Sequence, residues 1–306
     1  MLSVVIAVRN TNQSAAQCLS SMLRTQNALG TTDVEYVLID DASDPQQQIP
    51  ALFDQFRKQL PQGVRSTVLR FKEHQHYTRG LAQGFSVAKG RHVLFVSHDM
   101  LVTAEYVRTL LAVAAADDSV GLVRGTSPYV DCFPQHEVRP PFNIRTFEDL
   151  DAFAHYVSAY WGLHSVEDNL LTGDSMLIKR EVLDKIGVFD PRYFGYFGDV
   201  DFGLRVQRAG FKMVCAKGAW LWHEGAAAYK NLSATTHQDY DLVHADRMRT
   251  VNDAYMLFRQ KWDLSLPPQY QGIAMIDFAR LRTVAPPQGG EFQPPVMPDP
   301  AACEIS

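Results

Sequence analysis

The chain has 306 residues, 46% hydrophobic and 21% charged, which suits an ordinary globular protein with ample core. Its formal net charge of −5 speaks against nucleic acid as a bulk electrostatic partner. Four scattered cysteines, Cys18, Cys132, Cys215 and Cys303, form no CxxC pair, which disfavours a zinc ribbon or redox dithiol and fits a reducing cytoplasm.

The opening MLSVVIAVRN is too short and too strand-like for a signal peptide, and no apolar run reaches the length of a membrane span. Leu2–Val8 is instead a continuous β-branched run, the pattern of a buried parallel strand. Helical text follows to about Asn27. Val34–Ile39 predicts a second strand, and Pro45 opens a helix to about Leu60. Ser66–Phe71 reads as a third strand, 78–89 as a small-residue helix ending at Gly90, and Val93–Val96 as a fourth strand. A helix over 103–116 and a short strand over Val120–Val123 complete a βαβα alternation. Such alternation predicts a mostly parallel sheet with helices on both faces. Proline-rich text over 124–147 reads as a crossing loop, and 148–161 as a helix carrying Trp161. Met176–Ile178 predicts a strand running into a helix that ends at Gly187. A Phe-Asp-Pro turn, a second helix opened by Asp199 and Asp201, and a strand closing on Trp222 and His223 follow. Residues 239–263 read as an amphipathic helix. From Pro286 onward the proline and glycine load predicts a flexible or lightly docked tail.

Ligands bind at the carboxyl ends of strands in open parallel sheets, and two acidic signals lie there. Asp40, Asp41 and Ser43 follow the second strand, where a carboxylate can accept a hydrogen bond from a pyrimidine N3–H or simply cap a turn. Asp44, before Pro45, reads as a cap. Asp99 follows the fourth strand, after Ser97 and His98. No GxGxxG follows the first strand and no GxxxxGK[ST] occurs, so the dehydrogenase and P-loop folds lack their phosphate cradles. The loop carrying Ala7 and Arg9 has no glycine, unlike that of a sugar nucleotidyltransferase. Asp201 and Arg205 have the i,i+4 spacing of a helical ion pair. Trp161, Tyr193, Phe194, Tyr196 and Phe197 either stack on the faces of a ligand or pack as core. Gly173 allows close backbone approach, and Asp174 beside it can bond sugar hydroxyls. His74 and His76 carry no signal of their own.

The stretch from Thr172 to Gly225 resembles the acceptor half of family 2 glycosyltransferases, with its "GxFDxxFFxYxEDxDxxxRxxxxG" text and a later histidine; the segment from Ala88 to Asp99 resembles that family's "AxGxxxxFxDxD". The resemblance implies a GT-A fold: a Rossmann-like α/β sheet over 1–230 divided into a nucleotide-sugar half (1–125) and an acceptor half (126–230), with a helical extension over 231–285 and the tail over 286–306. It implies an inverting, metal-dependent transfer from a UDP- or dTDP-sugar to a glycan or lipid-linked acceptor. Asp199 would be the general base, Asp41 would hold the nucleotide base, and Asp99 with His223 would bind Mn2+ or Mg2+. Ala7, Arg9, Arg79, Ser97 and His98 complete the nucleotide-sugar set, His98 being read as turned outward. Trp161, Gly173, Asp174, Gly198 and Asp201 form the acceptor set. Bacterial surface polysaccharide synthesis, with peripheral association at the inner membrane face, is the usual setting of such members. Ser97 and Gly198 stand where the family carries acids, which keeps a catalytically silent binding subunit as an alternative beside a sugar-phosphate nucleotidyltransferase.

Overall fold

The computed structural model describes residues 1–130, 133–170, 173, 175–224, 237–283 and 303–306, with the side chains of 237–246 left aside. Strand β1 (Leu2–Val8) is the hub. Its alternate residues Leu2, Val4, Ile6 and Val8 face one apolar layer while Val5 faces the other, the period-two division of a sheet covered on both sides. It pairs in parallel with β2 (Val34–Asp40) and β4 (His92–Ser97), and β2 pairs in parallel with β3 (Arg65–Phe71). Helices α1 (Asn12–Leu29), α2 (Ile49–Gln59), α3 (His76–Val87) and α4 (Ala104–Ala116) make the crossovers. The helix expected from Pro45 is split: a 3-10 turn over Pro45–Gln47 ends at Gln48, whose positive φ of 50° breaks the run before α2.

After the short β5 (Met100–Leu101), β6 (Val120–Thr126) and α5 (Phe147–Trp161), the chain leaves pure βα order. Strands β7 (Ser165–Glu167) and β8 (Ser175–Lys179) lead to α6 (Arg180–Ile186), α7 (Gly198–Arg208), β9 (Lys212–Trp220) and β10 (Trp222–His223). With β11 the C-terminal strand Cys303–Ile305, the sheet order is β11-β3-β2-β1-β4-β8-β6-β9-β7, with β8 antiparallel between β4 and β6. The sheet is therefore mixed but mostly parallel, with helices on both faces. A separate two-stranded ladder joins β10 to β5 and sets His223 opposite Met100.

The long helix α8 (His237–Trp262) is clamped onto α7. Val251, Tyr255, Phe258 and Trp262 share an apolar cluster with Tyr193, Phe197, Val200 and Leu204. Polar contacts fix the register. Lys261 Nζ lies 2.9 Å from Asp190 Oδ2 and 2.6 Å from Asp201 Oδ1, and Trp262 Nε1 donates to Asp201 Oδ1 at 2.9 Å. Lys261 and Arg192 together hold the Asp190 carboxyl well below its ordinary value, against the opposing effect of burial. The Phe-Asp-Pro turn is thus a docking point for the C-terminal helix.

The last four residues of the tail are docked on the sheet edge. β11 (Cys303–Ile305) pairs antiparallel with β3, and Ser306 exchanges backbone hydrogen bonds with Val68. Residues 284–302 lie outside the described part. Main-chain pairing at an otherwise open sheet edge explains why so polar a segment docks. Removing 303–306 should lower the melting temperature by a few degrees, on the order of 1 kcal/mol at 2–4 °C each; an unchanged melt would show that the edge pairing contributes nothing.

Candidate active site

The β5–β10 ladder brings two distant residues face to face. His223 Nε2 lies 3.5 Å from Asp99 Oδ2. The opposite ring nitrogen, Nδ1, lies 3.0 Å from the Tyr129 carbonyl oxygen. A carbonyl only accepts, so Nδ1 carries a proton, and in the neutral ring Nε2 is left with its lone pair on the Asp99 side. That is the polarity of a metal-binding histidine. Asp99 Oδ1 accepts from the Ser97 hydroxyl at 2.7 Å. Burial opposes ionisation of Asp99, yet a protonated His223 donating from Nε2, with His98 and Ser97, outweighs it and holds the carboxyl well below its ordinary value. Ser97 therefore orients the carboxylate from the position where an acid was expected. His98 does not point outward. Its Nε2 is buried without a hydrogen-bond partner, and burial keeps its ring towards the neutral form although it bonds the Ala7 backbone. Asp99 and His223 offer a carboxylate oxygen and an imidazole nitrogen to a divalent ion. Beside Asp99 a cleft of about 380 Å³ opens between Gln17, Arg145, Phe147, Trp222 and Glu224.

The donor loops meet at the carboxyl ends of β1, β2 and β4, where Ala7 sits in register with Ile39 and Ser97. The paired acids after β2 divide their work. Asp40 Oδ1 accepts from the Ser43 backbone N–H at 3.0 Å and Oδ2 faces Arg70 at 3.4 Å, a turn role. Asp41 looks the other way: Oδ1 accepts from the Gln75 N–H at 2.6 Å and Oδ2 meets His74 Nδ1 at 2.7 Å. Arg9 donates to the Asp41 carbonyl at 3.1 Å. His74 thus belongs to this site, against the expectation of no role. Its signal was unreadable because the contact spans 33 residues. Asn10 and Thr11 hold φ of 56° and 50°. This backbone strain is braced by Ser43 Oγ on the Asn10 N–H at 2.9 Å. Asp44 caps as expected, accepting from the Gln46 N–H.

Asp199 opens α7. Its Oδ2 accepts from the Gly173 N–H at 2.8 Å and its Oδ1 from the Val200 N–H at 2.9 Å. Gly198 has a packing cause: a Cβ there would lie 2.5 Å from Thr78 Oγ1 and Cγ2. No acid fits between α3 and α7 at this point. Restoring one as Gly198→Asp should cost about 1–3 kcal/mol by overpacking and lower the melting temperature by several degrees, with a smaller loss in a Thr78→Ala background. An unchanged melt in the single variant would contradict the contact.

Asp201 is no acceptor contact. It is 0% exposed and saturated by Arg205 Nε (2.9 Å), Trp262, Lys261 and the Tyr193 hydroxyl, so the i,i+4 ion pair is its role. Arg79 does not turn to the donor loops; its Nε donates to the Pro191 carbonyl at 2.6 Å and its guanidinium stacks 4.1 Å above Phe194. Tyr193 and Phe197 are core, while Phe194 is exposed. Trp161 is exposed at the far end of α5, stacked on His164. Phe147 at the near end lines the cleft, so Trp161 stands one helix length, roughly 21 Å, from it. Asp174 lies outside the described residues.

Among the described residues a second group, His136, Asp168 and Cys215, has ligand atoms all within 4.8 Å of one another. Its polarity is the reverse of His223. Lys217 Nζ lies 3.1 Å from His136 Nδ1, which makes that nitrogen the acceptor and puts the proton on Nε2, 2.6 Å from Asp168 Oδ1. Burial pushes the Cys215 thiol up to about 12. The group reads as a buried hydrogen-bonded pair tying the 3-10 turn Pro134–His136 to β9, and as the poorer of the two candidate metal centres.

A family model described as glycosyltransferase-like family 2 matches residues 1–247. Among curated proteins, an N-acetylglucosaminyl-diphospho-decaprenol L-rhamnosyltransferase of Mycobacterium tuberculosis is 39% identical over 56 residues, spanning 18% of this chain and 18% of the relative. Among solved structures, the mannosyltransferase PcManGT from Pyrobaculum calidifontis, in complex with GDP-Man and Mn2+, superposes with a TM-score of 0.53 at 16% identity over 80% of this chain and 64% of that one. GalNAc-T7 with UDP, GalNAc and Mn2+ gives 0.57 at 15% identity over 92% and 54%. At such identities the structural likeness speaks for the fold alone. The family match covers most of the chain and agrees with the mostly parallel sheet and the motif positions: the chain belongs to glycosyltransferase family 2 and is a glycosyltransferase of GT-A fold.

Proposed function

We propose that this glycosyltransferase is an inverting, metal-dependent enzyme that moves a sugar from a UDP- or dTDP-sugar to a hydroxyl of a lipid-linked or glycan acceptor, in surface polysaccharide synthesis. The observation that carries the reading is the His223–Asp99 pair, an imidazole Nε2 3.5 Å from a carboxylate oxygen with Nδ1 spent on the Tyr129 carbonyl. Asp99 and His223 would hold Mn2+ or Mg2+, which when bound supplies counter-charge to a leaving diphosphate. Asp41, braced by His74 and the Gln75 N–H, offers acceptor oxygens to an N–H edge of the nucleotide base. Asp199 takes the acceptor proton on a carboxylate oxygen. The attacking oxygen then approaches the anomeric carbon from the face opposite the diphosphate, and the configuration inverts. The Mycobacterium relative's printed name, a rhamnosyltransferase for a diphospho-decaprenol-linked sugar, supports the lipid-linked acceptor class. No helix among the described residues is long and apolar enough to cross a membrane, so contact with such an acceptor would be peripheral. The serine at 97 orients Asp99 and the glycine at 198 answers to Thr78; both departures thus have causes other than lost catalysis, which favours an active enzyme over a silent subunit.

The test is nucleotide release from UDP- and dTDP-sugars, with and without Mn2+, on a lipid-linked saccharide acceptor, followed by NMR of the product anomer. Metal-stimulated release with an inverted anomer is expected. Full release in chelator, or a retained anomer, would overturn the reading.

A further inference from the structure

The first turn of α3 reaches both halves of the cleft. Just before it, His74 and the Gln75 N–H hold Asp41. Within it, the Tyr77 hydroxyl donates to the Gly173 carbonyl at 2.5 Å. The same glycine's N–H donates to Asp199 Oδ2 at 2.8 Å. Both polar atoms of Gly173 are therefore spent, one on a phenol and one on the carboxylate. The close approach requires glycine, because a Cβ there would sit 2.0 Å from the Tyr77 hydroxyl oxygen. The Tyr77 ring is itself held, edge-on to Phe95 at 5.6 Å and tilted against Phe189 at 6.4 Å. Asp199 Oδ1 is fixed from its own helix by the Val200 N–H, so the Gly173 N–H is what sets the carboxylate from across the cleft.

We propose that Tyr77 is a positioning residue for the base: its phenol fixes the Gly173 peptide, and that peptide orients Asp199. The inference rests on the reading of Asp199 as general base. A donor N–H on the carboxylate favours its ionised, proton-accepting form and holds it in reacting geometry, where a displacement of about 1 Å can cost roughly a hundredfold in rate.

The experiment compares Tyr77→Phe, Gly173→Ala and Asp199→Asn in the full chain. Phenylalanine keeps the ring packing and removes only the hydroxyl. Tyr77→Phe should lower kcat roughly ten- to hundredfold, leave nucleotide Kd within about twofold, and move the acid limb of the kcat–pH profile upward as the carboxylate loses its donor. Gly173→Ala, which displaces the same peptide, should give the same limb shift and serves if the first variant melts early. Wild-type kcat and limb in both, whatever their melting temperatures, would overturn the proposal. Those results beside an inactive Asp199→Asn would sink the relay and leave the base standing. Wild-type turnover in Asp199→Asn would sink both.

Discussion

Asp199→Asn should abolish transfer while leaving nucleotide binding nearly unchanged. The amide keeps the shape of the carboxylate, but its one oxygen can accept from the Gly173 N–H or the Val200 N–H and not from both, and it cannot take a proton. General-base removal typically costs 10²–10⁴-fold in rate. The group sits at the start of α7, whereas the proposed nucleotide contacts are on the loops after β1, β2 and β4. Binding should therefore survive. Calorimetry of UDP or dTDP with Mn2+ and a turnover assay separate the two. Turnover near that of the unaltered enzyme would remove Asp199 from the chemistry, and loss of nucleotide binding would mean that its role is structural.

How legible this site was in the sequence follows from what each residue depends on. Asp99 and Asp199 could be placed because each lies at the edge of an element whose periodicity is plain, β4 and α7. Strand boundaries in the donor half fall within a residue or so of expectation, except that β6 runs three residues beyond Val123, because continuous β-branched runs buried on both faces have one reading. The failures have a common cause. β5 and β10 are two residues long, β7 and β11 three, too short to carry a period. β8 reads as a strand but carries no mark of running antiparallel to β4. Arg79 and Trp161 were drawn towards the cleft by residue type, and the packing of α3 and α5 puts them elsewhere. His74 and Tyr77 went unread because their partners, Asp41 and Gly173, are 33 and 96 residues away. Gly198 looked like a lost acid; only the contact with Thr78 shows it as a steric demand.

Asp99→Ala and His223→Ala should each weaken donor binding and blunt its response to metal, Asp99→Ala the more. The two side chains are among the most enclosed polar groups of the cleft, 10% and 9% exposed, and each is oriented by a further bond: Ser97 to Asp99, the Tyr129 carbonyl to His223. Among the described residues Asp99 is the carboxylate that His223 faces, and Glu224, which lines the same cleft, is the acid that any residual metal response in Asp99→Ala would point to. Stabilisation of a leaving diphosphate by a divalent ion amounts to several kcal/mol. At 1.36 kcal/mol per tenfold, Asp99→Ala should lose about a thousandfold in kcat/KM. His223 contributes a neutral ligand, so its alanine variant should lose less, roughly ten- to hundredfold, and bind metal more weakly without losing it outright. Ser97→Ala, which removes an orienting bond and no ligand, should cost least of the three. Titrating Mn2+ into each variant with UDP or dTDP present gives the order directly. If Asp99→Ala and His223→Ala both keep the metal response of the unaltered protein, the ion is bound elsewhere, and the His136, Asp168 and Cys215 group, for all its adverse polarity, becomes the place to look.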